Sequence, residues 1–333
     1  MKSVILHPIF VIKDRIHHSL ITTAFMTSQH RMGVVEWTLL IILSIIWGGS
    51  FFFVKIAVTE VAPFTLVLCR VSLAALILLI YCKLSGRSLP RGRSIWGAFL
   101  LMGLINNVIP FSLLFWGQTY IASGLASILN ATTPIFTVLV AHFLTRDERL
   151  NSNRLLGVVL GFSGVVVMLG GGFDQPADNP PIAMIACLGA ALSYAFAGVY
   201  GRRFAAHNIG PARVAFGQLS SSSLIMLPVV LLMDPPLRPL SWSPQTQLAV
   251  IILAVICTAL AYILFFRILA TGGATNLSLV TLLVPVSAIL LGTRVLGEQL
   301  GSSDFIGMAL IGLGLVANDG RAIRFMRGAN PAA

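Results

Sequence analysis

Apolar residues run along this chain in long blocks, with the charged and turn-forming residues pushed to the ends of each block. Crossing ~30 Å of hydrocarbon takes ~20 apolar residues in a helix, and blocks near that length recur from Val35 to Asn318. Breaks at proline, glycine and charge predict helices at 35–55, 64–82, 95–117, 120–144, 154–172, 181–201, 213–233, 247–270, 274–296 and 303–319. The last is the weakest pattern, because Asp304 and Asp319 fence a short apolar core. The loops between blocks are brief and leave no room for a soluble domain. The expected class is therefore an all-α integral membrane protein with ten transmembrane helices.

Composition agrees. Of the 333 residues, 57% are hydrophobic and 10% charged, whereas a soluble domain carries roughly 25% charged residues. A net charge of +11 could suit nucleic acid, but the basic residues form no stripe and flank the apolar blocks instead. With the amino terminus in the cytoplasm, only Lys55, Arg238 and Arg294 fall outside and Arg70 falls within a span. The other 18 of the 22 lysines and arginines then face the cytoplasm, as the positive-inside rule requires. Both termini are expected there, in a multi-pass protein of the cell membrane, the inner one in a bacterium. Cys69, Cys82, Cys187 and Cys257 all lie in blocks without CxxC or histidine spacing, so neither zinc nor a disulfide framework is indicated. No cofactor is implied.

Residues 1–34 differ from the rest: basic, histidine-rich and broken by Pro8 and Lys13. They read as a disordered tail or as a start placed ahead of a true one at Met32, with an interfacial anchor less favoured. Residues 173–180 read as an extracytoplasmic linker and 320–333 as a cytoplasmic tail.

The two halves match weakly in order. At a spacing of 151, Phe115 meets Phe266, Ser127 meets Ser278, and Pro134 meets Pro285; at 150, Glu148 meets Glu298 and Gly157 meets Gly307. Five blocks per half is an odd number, so the second copy must enter from the opposite face. Inverted repeats of this kind mark transporters whose substrate lies near the midplane.

The stretch "WGGSFFFVKIAVTEVAPFTLVLCR" (Trp47 to Arg70) resembles the opening of an EamA domain of the drug/metabolite transporter superfamily. "LASILNATTPIFTVLVAHFLTRDERL" and "LSLVTLLVPVSAILLGTRVLGEQL" resemble that domain's fourth helix and the glutamate after it, once per half. The resemblance covers residues 35–172 and 181–319 as two five-helix repeats. It implies a central cavity formed largely by the third, fourth, eighth and ninth helices. Two departures stand out: "TRDERL" replaces the usual Gly-Glu at Glu148, and Gln218 occupies the position matching Arg70.

Candidate contacts follow from polar residues at membrane depth. A proline cannot donate to the carbonyl four residues earlier, so Pro134 releases Asn130 and Pro285 releases Thr281. Under-bonded backbone at that depth belongs where it lines a cavity. Asn106 and Asn107 fall midway along the third block, Thr133 beside Asn130, and Tyr262 mid-way along the eighth. Asn106, Asn107, Asn130, Thr133, Tyr262 and Thr281 are the expected substrate contacts, through neutral hydrogen bonds; the alternative is that such residues only join helices. Trp47, Gly48 and Ser50 could form a gate hinge or a close-packing patch. Gly157 and Gly161 suit packing, within the bundle or between protomers of a homodimer. Arg70 is expected to snorkel towards Glu60.

The eleven acidic residues all avoid the mid-spans. Proton relays use intramembrane carboxylates or histidines, and a cavity for organic cations needs a counter-charge, so a proton-driven exporter of cationic drugs is disfavoured. The expected function is a permease moving small neutral or zwitterionic metabolites such as amino acids by alternating access, with efflux favoured by the resemblance. The alternative is an anion or sugar-phosphate carrier using Lys55, Arg70, Arg203 or Arg267. An intramembrane enzyme would need a nucleophile with a base, or metal ligands, and the blocks supply none. The expected partners are a small-molecule metabolite and the lipid bilayer, not nucleic acid.

Overall fold

The computed structural model describes residues 33–86, 88–90, 92–145, 152–174, 180–206, 209–234, 241–265, 267–268 and 280–319. The two tails, most of the 173–180 linker, the loop carrying Glu148 and the approach to Val280 lie outside the described residues. Everything regular among the described residues is helical.

Prolines set many of the starts, because the first helical position needs no N–H and already wants the φ that proline fixes. In chain order the elements are α1 (Val34–Ala57), α2 (Pro63–Leu84), α3 (Arg93–Gly103), α4 (Ile109–Tyr120), α5 (Ser123–Asn130) and α6 (Thr133–Leu144). There follow α7 (Ser152–Asp174), α8 (Pro181–Ala206), α9 (Pro211–Met233), α10 (Pro244–Ala254), α11 (Val280–Val295) and α12 (Ser302–Asp319). Side chains cap several ends. Ser243 Oγ accepts the Thr246 N–H at the start of α10, and Asp304 reaches back to the Gly301 N–H at 2.9 Å.

Three of the expected spans are more broken than the sequence pattern suggests. A π-helical turn at Leu104–Val108 joins α3 to α4, and another at Val255–Leu260 extends α10. Ala131 and Thr132 separate α5 from α6. Taken through these interruptions, eight helical segments among the described residues are long and apolar enough to cross a bilayer, and two shorter apolar helices, Leu283–Val295 and Ser302–Ala317, follow them. Large apolar side chains such as Leu76, Val166, Leu231 and Val286 are exposed on the outside of the bundle, as lipid rather than water would demand.

Packing partners repeat between the halves. The pair α1–α11 has its twin in α6–α8, and α3–α9 has its twin in α10–α2; α2–α9 and α7–α12 pair the matching helices directly. Glycines allow the closest of these crossings. A Cβ on Gly314 would lie 2.6 Å from the Gly157 carbonyl oxygen, and one on Gly164 would lie 2.6 Å from that of Gly307. The small-residue stripe of Gly157 and Gly161 is thus used inside the bundle, against α12.

Candidate functional site

Between the halves lies a cavity of about 1000 Å³. The first half contributes Trp47, Ser50, Arg70, Asn106, Phe111 and Asn130; the second contributes Tyr194, Gln218, Thr258, Tyr262, Phe265 and Thr281. The resemblance placed the third, fourth, eighth and ninth spans around it; α1, α2, α8 and α9 line it as well. It ends at Gln118 and Ser127 in one direction and reaches Arg202, Gly210 and Pro211, where α8 ends and α9 begins, in the other. No aspartate or glutamate occurs among the described lining residues.

The π turns set its polar belt. A π turn widens the helix by one residue, and such turns recur at functional sites. Pro110 lacks an N–H, and the Ile105 carbonyl five residues before it accepts the Ser193 hydroxyl at 2.7 Å. The two π turns begin 151 residues apart, the same spacing that relates the prolines. The first turn carries Asn106 into the cavity, where its Nδ2 donates to Gln218 Oε1 at 3.1 Å and Tyr262 Oη at 3.3 Å. Asn107 is fully buried behind the wall. It donates to Ser222 Oγ at 3.0 Å and accepts from Tyr262 at 3.3 Å. Its arrangement joins helices, whereas Asn106 and Tyr262 face the space.

The two prolines act differently. Pro134, second residue of α6, ends the continuity of its span; Pro285 lies inside an unbroken α11. The backbone oxygen that Pro134 releases is taken by the Thr133 hydroxyl, 2.7 Å from the Asn130 carbonyl. What remains unclaimed is the Asn130 side chain, whose Oδ1 is buried without a hydrogen-bond partner. Asn130, Thr133 and Thr281 all line the cavity. Of the gate candidates, Trp47 and Ser50 line it too, Trp47 with its ring 5.7 Å from that of Phe265. Gly48 turns to the other face, where a Cβ would lie 2.7 Å from the Val284 carbonyl oxygen of α11.

Sequence reasoning gave Arg70 a direct substrate role only in the anion-carrier alternative and did not single out Gln118. Arg70 is buried and points inwards rather than towards Glu60: its Nε donates to Thr258 Oγ1 at 2.8 Å and its Nη2 to the Cys257 carbonyl at 3.4 Å. Its guanidinium carbon lies 4.2 Å from the Phe111 ring centre and 5.7 Å from that of Phe115. Gln118, 1% exposed, lines the cavity and its Oε1 has no partner. A mid-span arginine is a functional signal by default, and Phe111, Phe115 and Gln118 share one face of α4 at helical spacing.

Beyond Gln118 the bundle is tied shut by charges. Lys55 Nζ donates to the Gln118 and Ile121 carbonyls, both at 2.9 Å. Glu298, from the loop before α12, accepts the Ser123 N–H at 2.7 Å, the Ser123 hydroxyl at 2.8 Å and the Gly124 N–H at 3.2 Å. A carboxylate at a helix N-terminus satisfies donors that the helix itself leaves open.

Comparison with known proteins places this architecture in a class. The EamA-like transporter family matches twice, over residues 36–170 and 181–318. The chain belongs to that family and is a multi-pass membrane transporter. It is 28% identical over 277 residues to the uncharacterized inner membrane transporter YedA of Escherichia coli K12, covering 81% of this chain and 85% of that one. It is 22% identical to the uncharacterized transporter YoaV of Bacillus subtilis 168, covering 84% and 94%. A probable amino-acid metabolite efflux pump of E. coli K12 is 24% identical, covering 85% and 94%. A solved crystal structure with 22% identity has the same fold, with a TM-score of 0.62 over 88% of this chain and 98% of its own.

Proposed function

We propose that this protein is a cytoplasmic-membrane permease that exports small neutral or zwitterionic metabolites, such as amino acids, by alternating access. Its ten spans form two inverted five-helix repeats with both termini in the cytoplasm. In that frame the Gly210 end of the cavity opens to the cytoplasm and the Glu298 end is the closed, extracytoplasmic one. The observation that carries the reading is the cavity itself: both halves build it, neutral groups such as Asn106, Asn130, Thr133, Tyr262 and Thr281 stud it, and no carboxylate appears among its described lining residues. The efflux-pump name of the E. coli relative supports the direction and the substrate class.

The test is transport by purified protein in liposomes against a mixed panel of labelled metabolites. Wild type moves neutral or zwitterionic members of the panel, and Asn130→Leu, which removes the unpartnered acceptor, moves them at a small fraction of that rate. Undiminished transport by Asn130→Leu refutes the site; competition by inorganic phosphate instead favours an anion carrier.

A further inference from the structure

The cavity holds a buried positive charge that the described protein leaves unneutralised. Arg70 lies with one face against Phe111 and spends two of its nitrogens on the neutral acceptors Thr258 and Cys257. Neutral partners and a ring face offset only part of the cost of taking a guanidinium out of water. One further nitrogen of the fork, Nη1, has no protein acceptor among the described residues. A planar fork with a spare edge is suited to a carboxylate.

The same cavity contains acceptors without donors. Gln118 Oε1 and Asn130 Oδ1 are both buried and unpartnered, a condition that costs free energy unless something fills it. Phe111 and Gln118 are seven residues apart on α4, or ~10 Å along the helix axis. Phe115 lies between them on that face, 5.7 Å from the Arg70 guanidinium. Arg70, Gln118 and Asn130 all line the one cavity, which thus offers a small molecule carrying a carboxylate and an ammonium a complementary partner for each.

We infer that Arg70 anchors the carboxylate of a zwitterionic substrate while Gln118 Oε1 and Asn130 Oδ1 accept from its ammonium group. The proposal rests on the permease reading and narrows it. The remaining wall, with Trp47, Phe111 and Phe265, houses an apolar side chain. In the second half Gln218 stands in the position matching Arg70, and the other arginine among the described lining residues, Arg202, lies at the Gly210 end, away from Gln118 and Ser127.

The experiment measures binding of L-leucine, L-leucinamide and isocaproate to detergent-purified wild type, Arg70→Lys and Arg70→Met by titration calorimetry. Leucinamide lacks the carboxylate and isocaproate lacks the ammonium, at nearly constant shape. Wild type is expected to bind leucine about 10- to 150-fold more tightly than leucinamide, the range for losing a hydrogen bond to a charged group. Isocaproate also binds more weakly than leucine, and Gln118→Leu, which leaves Asn130 Oδ1 in place, narrows that difference without abolishing it. Arg70→Met loses the discrimination against leucinamide and Arg70→Lys recovers part of it. Equal binding of leucine and leucinamide by wild type overturns the assignment whether or not any variant folds. Binding of neither by a protein that still moves metabolites in liposomes also overturns it and leaves the permease reading standing. Absence of transport of the whole panel is the separate failure of that wider reading.

Discussion

Replacing Glu298 by alanine should open the closed end of the cavity. The carboxylate accepts three hydrogen bonds from Ser123 and Gly124, and Ser123 is fully buried. Hydrogen bonds to a charged group contribute ~1.5–3 kcal/mol each, and an anion at a helix N-terminus ~0.3–1 kcal/mol more. Glu298 is only half-buried, so screening trims each contribution, and the three bonds share one group and are not additive. A total of about 2–4 kcal/mol is reasonable, which shifts the balance between closed and open by about 30- to 800-fold. Glu298→Gln, keeping one acceptor oxygen, should cost about half as much. The assay is the rate at which a membrane-impermeant maleimide, added outside intact cells, labels Ser127→Cys in a background where Cys69 and Cys257 are alanine. Ser127 lines the cavity and is fully buried, so its label reports opening from the Glu298 side. The rate should rise by at least ~10-fold in Glu298→Ala. If labelling stays at the wild-type rate while thermal stability falls, the carboxylate is a helix cap and nothing more. If neither changes, the energy assigned to these bonds is wrong.

Two further outcomes follow from the packing and the loops. Gly314→Val puts a side chain where a Cβ already lies 2.6 Å from the Gly157 carbonyl oxygen and 2.8 Å from the Gly161 nitrogen; forcing α7 and α12 apart should cost ~1–3 kcal/mol and lower the melting temperature in detergent. Gly312→Ala, with open space around its Cβ, should melt like wild type, and equal behaviour of the two variants would refute the packing argument. Glu60, between α1 and α2, accepts the Ser243 N–H at 2.7 Å, and that hydrogen bond holds its carboxyl below the usual carboxylate range. A pKa depressed by folding contributes stability above the unfolded value, ~4.3, which is lost as pH falls through the folded value. Melting curves of wild type should therefore fall more steeply below about pH 4 than those of Glu60→Gln, and parallel curves would remove Glu60 from the account.

Hydropathy made the apolar helices legible, eight of spanning length and two shorter among the described residues, because lipid imposes a length and forbids unpaired backbone. The sequence pattern placed the start of α8 at Pro181 and that of α2 within one residue of Pro63. It set α9 and α10 at 213 and 247, two and three residues after the prolines that begin them, although proline suits the first helical position. What local pattern could not deliver was direction around the helix axis. Asn106 and Asn107 are neighbours in sequence, yet the π turn sends one into the cavity and the other into the α9 interface with Ser222. Likewise Trp47 faces the cavity while Gly48, its neighbour on α1, packs against α11. Arg70 was read as snorkelling because its distance from the span end allowed it; only the placement of Thr258 and Phe111 against α2 shows that it turns inwards. The released Asn130 carbonyl was expected to face the cavity unclaimed, but Thr133, one residue before the proline, captures it. The free oxygen there belongs to a side chain.

The asymmetry between the halves matters more than their likeness. Two identical inverted copies would present a substrate with two equivalent orientations, related by the axis in the membrane plane. Packing here does repeat, down to π turns at matching positions. Charge does not: Arg70 stands on α2 where Gln218 stands on α9, and both line the cavity. Hydrogen bonds to a charged group are worth ~1.5–3 kcal/mol against ~0.5–1.5 kcal/mol for neutral ones. A carboxylate placed at Arg70 rather than at Gln218 therefore gains ~1 kcal/mol or more, enough to populate one orientation over the other by about five-fold or better. On the proposed reading, the difference between Arg70 and Gln218 is what would give a zwitterionic substrate a head and a tail.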